Sequence, residues 1–328
     1  MTESVKGSNV GGIVRLSGFS EKKKDLVALP IHPLSRMLAL MLETATVIRP
    51  TDDELDLFGI THQGKVRSEN QDHFLVSTVH PQVVIHGTSL PNPDKLPLRG
   101  TRFATVLILA DGVGGAAAGS EAARLATEAV TRYVASTMRS YHAAGSATEA
   151  ELLESLKETA IEAHNTVRSE AAIHPTQQGM ATTLTVVVVV YPWAYVVQVG
   201  DSRCYFFADN KLQLLTRDQT VAQSLIDQGL MPAERLEASP FKHVLSSAIG
   251  SDEALPVVTP FDISERGSLI LMCSDGLTKH VSDEEIAEHI RNMKSSEQIA
   301  RELLDLALER GGRDNITIIA ARAPLKKS

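Results

Sequence analysis

From residue 57 onward the chain alternates two hydrophobic patterns. Short, nearly unbroken apolar runs are separated by longer stretches in which apolar residues recur every three or four positions. The first pattern marks strands covered on both faces, the second amphipathic helices. Residues 103–110 (FATVLILA) read as a buried strand. Ser120 stands ahead of EAARLATEAVTRYV, whose Ala122, Leu125, Ala126, Ala129, Val130 and Tyr133 keep helical spacing, so a helix capped by Ser120 is expected there. Thr148 and Glu151 form a capping-box pattern at the head of a second helix that continues through Leu152, Leu156, Ala160, Ile161 and Val167. A meander follows, LTVVVVV, WAYVVQV, RCYFFA and KLQLL, broken by Tyr-Pro, Gly-Asp-Ser and Asp-Asn turn signals. Short helices are expected after Gln219, with Gly229 as a stop. SLILMCS then reads as a strand, Ser282 to Glu285 as a helix start, SEQIARELLDLALERGG as an amphipathic helix and ITIIAAR as a closing strand.

Hairpin-linked strands with paired helices predict an α+β layered architecture of antiparallel sheets covered by helices. Residues 80–102, rich in Pro and Gly, are expected to form an elongated hairpin or surface loop. Residues 1–54 differ from the rest. They hold a Gly/Ser-rich start, the run Lys22-Lys23-Lys24, Pro30 and Pro33, and one expected helix over residues 34–48 with Met37, Leu38, Met41, Leu42 and Ile48 roughly on one face. The expected organisation is an N-terminal extension over 1–54 and one domain over 55–325.

Composition narrows the class. With 328 residues, 43% hydrophobic and 22% charged, the chain has the make-up of a soluble globular protein with a substantial core. A formal net charge of −8 gives no basic surface for nucleic acid or anionic membrane. MTESVKGSNV lacks the apolar core of a secretory signal, and MLALMLETATVI is too short to span a bilayer, so a cytoplasmic protein is expected. The two cysteines, Cys204 and Cys273, fall in or beside core strands and read as buried hydrophobes of a reducing compartment.

The candidate chemistry lies at strand ends. Asp111 follows VLILA, Asp201 follows YVVQVG, Asp275 follows LILMCS, and Asp314 precedes ITIIA, each beside a small or turn-forming residue (Gly112, Ser202, Gly276, Asn315). One such Asp is ordinary turn chemistry. Four from distant parts of one domain predict a shared acidic pocket, whose carboxylates stay ionised only if cations hold them. Oxygen-only donors select Mg²⁺ or Mn²⁺ over zinc or copper. Two such ions about 4 Å apart can activate a water for in-line attack on phosphorus. Arg67, in HQGKVRSENQD, is a candidate for binding phosphate oxygens with its planar fork, although a lone Arg is more often a surface charge.

Other phosphoryl chemistries lack their parts. Asn210 and Lys279 stand where a cysteine phosphatase would need Arg six residues after its nucleophile. There is no Gly-x-x-x-x-Gly-Lys loop and no HExxH, and the eleven histidines are scattered. The glycines of DGVGGAAAGS read as room for backbone to approach the metals.

Eight motifs occur in one order over residues 57–323: GKVRSENQD, LILADGVGG, GMATTL, VGDSR, LTRDQT, HVLSSAIG, LMCSDGL and GGRDNIT. Together they resemble the metal-dependent Ser/Thr protein phosphatases of type 2C, the PPM family, in its bacterial style. The resemblance implies a four-layer α-β-β-α sandwich of two antiparallel sheets flanked by helices. It implies that Asp111 bridges two core Mn²⁺ or Mg²⁺ ions, that the Gly112 carbonyl binds one of them, and that Asp275 and Asp314 hold the other. Asp201, with Asp275, would help bind a labile third ion. Arg67 would bind the substrate phosphate and Asp72 would accept a hydrogen bond from a metal-bound water. Thr182 and Thr183 are expected to be structural. The implied activity is hydrolysis of phosphoserine and phosphothreonine in phosphorylated proteins, opposing a Ser/Thr kinase, by a monomer.

The chain departs from the family's pattern at three positions. Gln71 stands where many members have Glu, Val113 where animal members have His and many bacterial ones Met, and Gln219 where His is frequent. None removes a direct Asp ligand. Two alternatives remain at this point: a pseudophosphatase serving as a binding or regulatory module, and a two-metal hydrolase of small phosphate esters or nucleic acid, the latter disfavoured by the acidic balance.

Overall fold

The computed structural model describes residues 49–114, 116–144 and 148–324. By its internal contacts the chain divides after Val47, and the second unit, Ile48–Ser328, holds the described residues. The helix expected over residues 34–48 lies outside the described residues.

The second unit is built on two five-stranded antiparallel sheets. One contains, in spatial order, β1 (Asp56–His62), β12 (Ile316–Arg322), β11 (Leu269–Cys273), β8 (Arg203–Ala208) and β9 (Lys211–Leu214). The other runs β10 (Val257–Asp262), β7 (Trp193–Val199), β6 (Leu184–Val190), β3 (Ala104–Ala110) and β2 (His73–Val79). A short pair, β4 (Gly112–Val113) and β5 (Ala181–Thr182), extends beyond the second sheet.

Alternating residues of each strand face different layers, which explains the unbroken apolar runs. Val106, Ile108, Val186, Val188 and Val197 pack against Ala126, Val130, Leu152 and Leu156 of the long helices α1 (Ala116–Ala144) and α2 (Glu149–Ile173). Their neighbours Leu107, Leu109, Val187 and Val196 point the other way, meeting Cys204, Ile270, Met272 and Ile319 between the sheets. On the far face, Leu271, Cys273, Ile316, Ile318 and Ala320 pack against Ile286, Ile290, Ile299 and Leu303 of α5 (Asp283–Asn292) and α6 (Ser296–Glu309). Three apolar seams between four layers make the α-β-β-α sandwich. Each fully buried Leu or Ile in them contributes about 1.5–3 kcal/mol relative to exposure.

Local signals account for most boundaries. Thr148 and Ser282 both close capping boxes, with Glu151 and Glu285 as their partners. Thr220 caps the short α3 (Val221–Asp227), and Gly229 follows it at φ 70°. Ser120 is a correction: α1 begins four residues earlier, because Ala116–Ala118 are strong helix formers, and the Ser120 hydroxyl sits inside the helix, 3.2 Å from His73 Nε2. Strand β10 was not expected, since Pro260 interrupts its pattern. It is tolerated because β10 is an edge strand, paired with β7 alone. Residues 80–103 form the long connection from β2 to β3, pinned by a bridge between Gln82 and Arg99. Both cysteines are buried and unpaired, as expected. No helix among the described residues is long and apolar enough to cross a membrane.

Candidate metal centre

Strand direction brings the four aspartates to one end of the sandwich. Asp111 lies between β3 and β4, Asp201 in the turn from β7 to β8, Asp275 opens the one-turn helix α4 (Asp275–Thr278) after β11, and Asp314 stands two residues before β12. All four line one cavity of about 800 Å³, together with Arg67, Gln71, Gly112, Val113, His243, Lys279 and Asn315. Asp72 lies beneath, 3% exposed.

The backbone around each aspartate is fixed by polar side chains. The Asp111 N–H donates to Thr183 Oγ1 (3.0 Å), and the Asp111 carbonyl accepts from the Thr182 hydroxyl (2.9 Å) and the Thr183 N–H (2.8 Å). Thr183 Oγ1 also lies 2.9 Å from Ser202 Oγ, tying the Asp111 turn to the Asp201 turn. The two threonines therefore hold backbone. Arg203 makes a bidentate pair with Asp218 (3.0 and 2.8 Å), joining VGDSR to LTRDQT. Gln219 spends both ends of its amide on backbone: Oε1 accepts from the Gly200 N–H and Nε2 donates to the Leu255 carbonyl, each at 2.9 Å. The residue in the frequent His position is thus a clamp on the rim.

Two glycines are required by close approach. A Cβ at Gly112 would stand 2.3 Å from the Gly119 carbonyl oxygen, and one at Gly276 would stand 1.9 Å from that of Asn315. The first keeps the Gly112 backbone against the start of α1. The second lets Asp275 and Asp314 approach each other.

Asn315, noted in the sequence only as a turn residue, is the main anchor of the loop carrying Arg67. Its Nδ2 donates to the Gln63 and Glu69 carbonyls at 2.8 Å, and its Oδ1 accepts from the Gln71 N–H at 2.9 Å. Ser274 and Thr317 were likewise unassigned. Both hydroxyls donate to Asp72 Oδ2, at 2.8 and 2.7 Å. Asp72 Oδ1 is buried with no hydrogen-bond partner.

The charges are unbalanced. Burial pushes the Asp111 carboxyl well above the usual range, and Asp72, Asp275, Asp201 and Asp314 push it further. Burial, then Asp275, raises Asp201 to about 7. Burial raises Asp72 to about 6 against its two hydroxyl donors. Asp314 is lowered: burial alone would raise it, but Arg67 and Lys279 outweigh that. Arg67 grips Asp314 with Nε at 2.7 Å and Nη2 at 2.8 Å, half of its side chain exposed. Lys279 Nζ lies 2.5 Å from Asp275 and 2.7 Å from Asp314.

Among the described residues no three Asp, Glu, His or Cys side chains converge closely enough to ligate one ion. Two cationic side chains stand on the carboxylates instead. The donor set nevertheless fits a hard divalent cation. It is all oxygen, it repels itself when ionised, and Arg67 and Lys279 already stand on it. The orphaned Asp72 Oδ1 also fits an acceptor waiting for a bound water. Val113, 40% exposed on the cavity wall, offers no proton.

A family model for protein phosphatase 2C matches residues 86–311, more than half of the chain. The chain belongs to this family. The serine/threonine protein phosphatase PstP of Mycobacterium tuberculosis is 33% identical over 218 residues, 66% of this chain. The matched chain spans only 40% of PstP's own length. Serine/threonine phosphatase stp of Listeria monocytogenes is 28% identical over 268 residues, covering 81% of this chain and 94% of stp. Among solved structures, the catalytic domain of PstP in complex with two manganese ions superposes with a TM-score of 0.63 at 28% identity, covering 83% of this chain and 99% of that one. The two antiparallel sheets flanked by helices are thus the fold of protein phosphatase 2C catalytic domains.

Proposed function

We propose that this protein is a metal-dependent protein phosphatase that hydrolyses phosphoserine and phosphothreonine, with residues 55–325 as its catalytic domain. The observation that carries this reading is the convergence of Asp111, Asp201, Asp275 and Asp314 from four strand ends into one cavity that Arg67 also lines. Asp111 and the Gly112 carbonyl, with Asp275 and Asp314, are the residues to hold two Mn²⁺ or Mg²⁺ ions. When bound, such ions supply an acidified water and polarise phosphoryl oxygens.

The chain's own residues do the rest. Arg67 and Lys279 both hold Asp314 here, so Asp314 would be free to hold an ion only with those contacts given up. The Arg67 fork would then bind two phosphate oxygens and present phosphorus to the attacking water. Asp72 Oδ1 accepts a hydrogen bond from that water, its carboxylate held in place by Ser274 and Thr317. With Val113 on the wall, the proton for the leaving serine or threonine oxygen comes from solvent-derived water.

The substrates are phosphorylated proteins, and the natural counterpart is a Ser/Thr kinase. We propose a monomer acting in the cytoplasm; that compartment accords with the two buried, unpaired cysteines, and the acidic balance disfavours nucleic acid and anionic membrane. The test is hydrolysis of a phosphothreonine peptide and of a chromogenic phosphate ester with Mn²⁺, Mg²⁺ or chelator. Metal-dependent release of phosphate from the peptide is expected. Metal binding without turnover of either substrate would favour a pseudophosphatase, and turnover of the small ester alone would favour a general esterase.

A further inference from the structure

Lys279 closes the single turn of α4, four residues after Asp275, so its side chain folds back over that carboxylate. Three-quarters of the side chain is covered, and its ammonium touches Asp275 and Asp314 at once. It also stands on the wall between two cavities. One is the acidic cavity just described. The other, of about 560 Å³, is lined by Asp218, Lys242, His280 and Arg313. Asp201, His243, Asp275 and Lys279 border both. Asp201 and Asp275, the pair expected to hold an outlying ion, therefore share their corner with a positive charge that belongs to the chain.

We propose that the Lys279 ammonium stands in for the third divalent ion, so that the loaded centre carries two metals and one lysine. The inference rests on the two-metal reading above. Once the core metals take Asp275 and Asp314, the tether of Lys279 to α4 leaves its ammonium in the Asp201–Asp275 corner. There it repels a further dication and supplies a fixed charge that is not lost on dilution. A lysine also donates hydrogen bonds but accepts none, so it cannot complete an oxygen ligand set, whereas an acid at 279 would.

The experiment is Mn²⁺ stoichiometry on the full chain. Protein stripped with chelator is dialysed to equilibrium against free Mn²⁺ up to the millimolar range, and bound metal is read by elemental analysis and calorimetry. Wild type should saturate at two Mn²⁺ per chain, and Asp201→Asn should leave that number unchanged. Lys279→Asp should bind three, and the double variant Lys279→Asp/Asp201→Asn should return to two. Three ions on wild type, with one lost in Asp201→Asn, would overturn the inference and leave the two-metal reading standing. A folded Lys279→Asp that stays at two would also overturn it. If Lys279→Asp does not fold, wild type and Asp201→Asn still decide. Wild type that takes up no Mn²⁺ would overturn the two-metal reading, and this inference with it.

Discussion

Where β3 and β11 begin and β12 ends, three carboxylates each carry an arginine: Arg102 on Asp52 at 2.5 Å, Arg266 on Glu54 at 2.9 Å and Arg322 on Asp56 at 2.8 Å, with Arg99 and Arg49 adding positive charge near Asp52. At the opposite end, where β3 and β11 run out and β12 starts, Asp72, Asp111, Asp201, Asp275 and Asp314 face Arg67 and Lys279. The same strands supply both ends, and both lie over the same apolar seams. The difference is charge matching. An end balanced in this sense, with the chain's own cations on its carboxylates, needs no added cation and serves stability, whereas an end with surplus carboxylates keeps its fold at a cost and is completed by added cations. Function is placed at the end that the chain leaves electrostatically incomplete.

The sharpest way to break this comparison is to remove one charge from the unbalanced end. Asp275→Asn should lower turnover of a phosphothreonine peptide by several orders of magnitude. Circular dichroism should be unchanged, and melting in chelator no lower than wild type, since one repelling charge has gone. A near-normal rate would remove Asp275 from the metal set. The converse change belongs to the balanced end. Asp56 accepts from Arg322 and from the Ser296 N–H at the head of α6, so Asp56→Ala should cost about 1–3 kcal/mol in denaturant unfolding while leaving kcat unchanged. If turnover fell as well, the two ends would not be separable.

A change of pH should act on the unbalanced end through its raised carboxyls. Asp72 and Asp201 titrate at about 6 and about 7 in the fold, against an ordinary value of 3.8. A carboxyl raised by folding contributes stability that is full below its unfolded value and is lost as pH rises through its folded one. Metal-free protein should therefore melt progressively lower between about pH 4 and pH 7, the interval from the ordinary carboxyl value to those two raised ones. Mn²⁺ should remove most of that slope, because bound cations hold the ionised forms. A flat profile in chelator would mean that the cluster is already neutralised within the protein.

The contrast between the ends was only half visible in the sequence. Strand-end aspartates stand out because Asp interrupts an apolar run, and the four found in this way do share one cavity. Thr148, Ser282 and Gly229 carried local rules that hold whatever the tertiary setting, and those boundaries appeared where expected. Ser120 misled because a capping residue looks the same inside a helix when alanines precede it. Strand β10 was hidden because edge position, which excuses Pro260, is a property of the assembled sheet. Asn315, Ser274 and Thr317 act on partners hundreds of positions away, and no local period marks them. Lys279 did leave a trace. An Asp and a Lys four apart just after a strand imply an ion pair over one helical turn, and that spacing was there to be used.

The smallest expected effect tests how far the imbalance reaches. Gln71 is 8% exposed, its N–H fixed by Asn315 and its side-chain amide packed where a Cβ at Gly119 would stand. It lines the cavity with Asp111 and Gly112, so it contributes a neutral group where a carboxylate would add to the field on the metals. Gln71→Glu keeps the shape and adds one negative charge a short distance from the ions. Through a protein dielectric of about 20, that should lower the Mn²⁺ concentration for half-maximal activity by roughly three- to tenfold. The gain should be smaller in high salt, because the cavity is open to solvent. An unchanged titration would mean that the field at the metals is set by the strand-end aspartates alone, with Gln71 kept for its packing against Gly119.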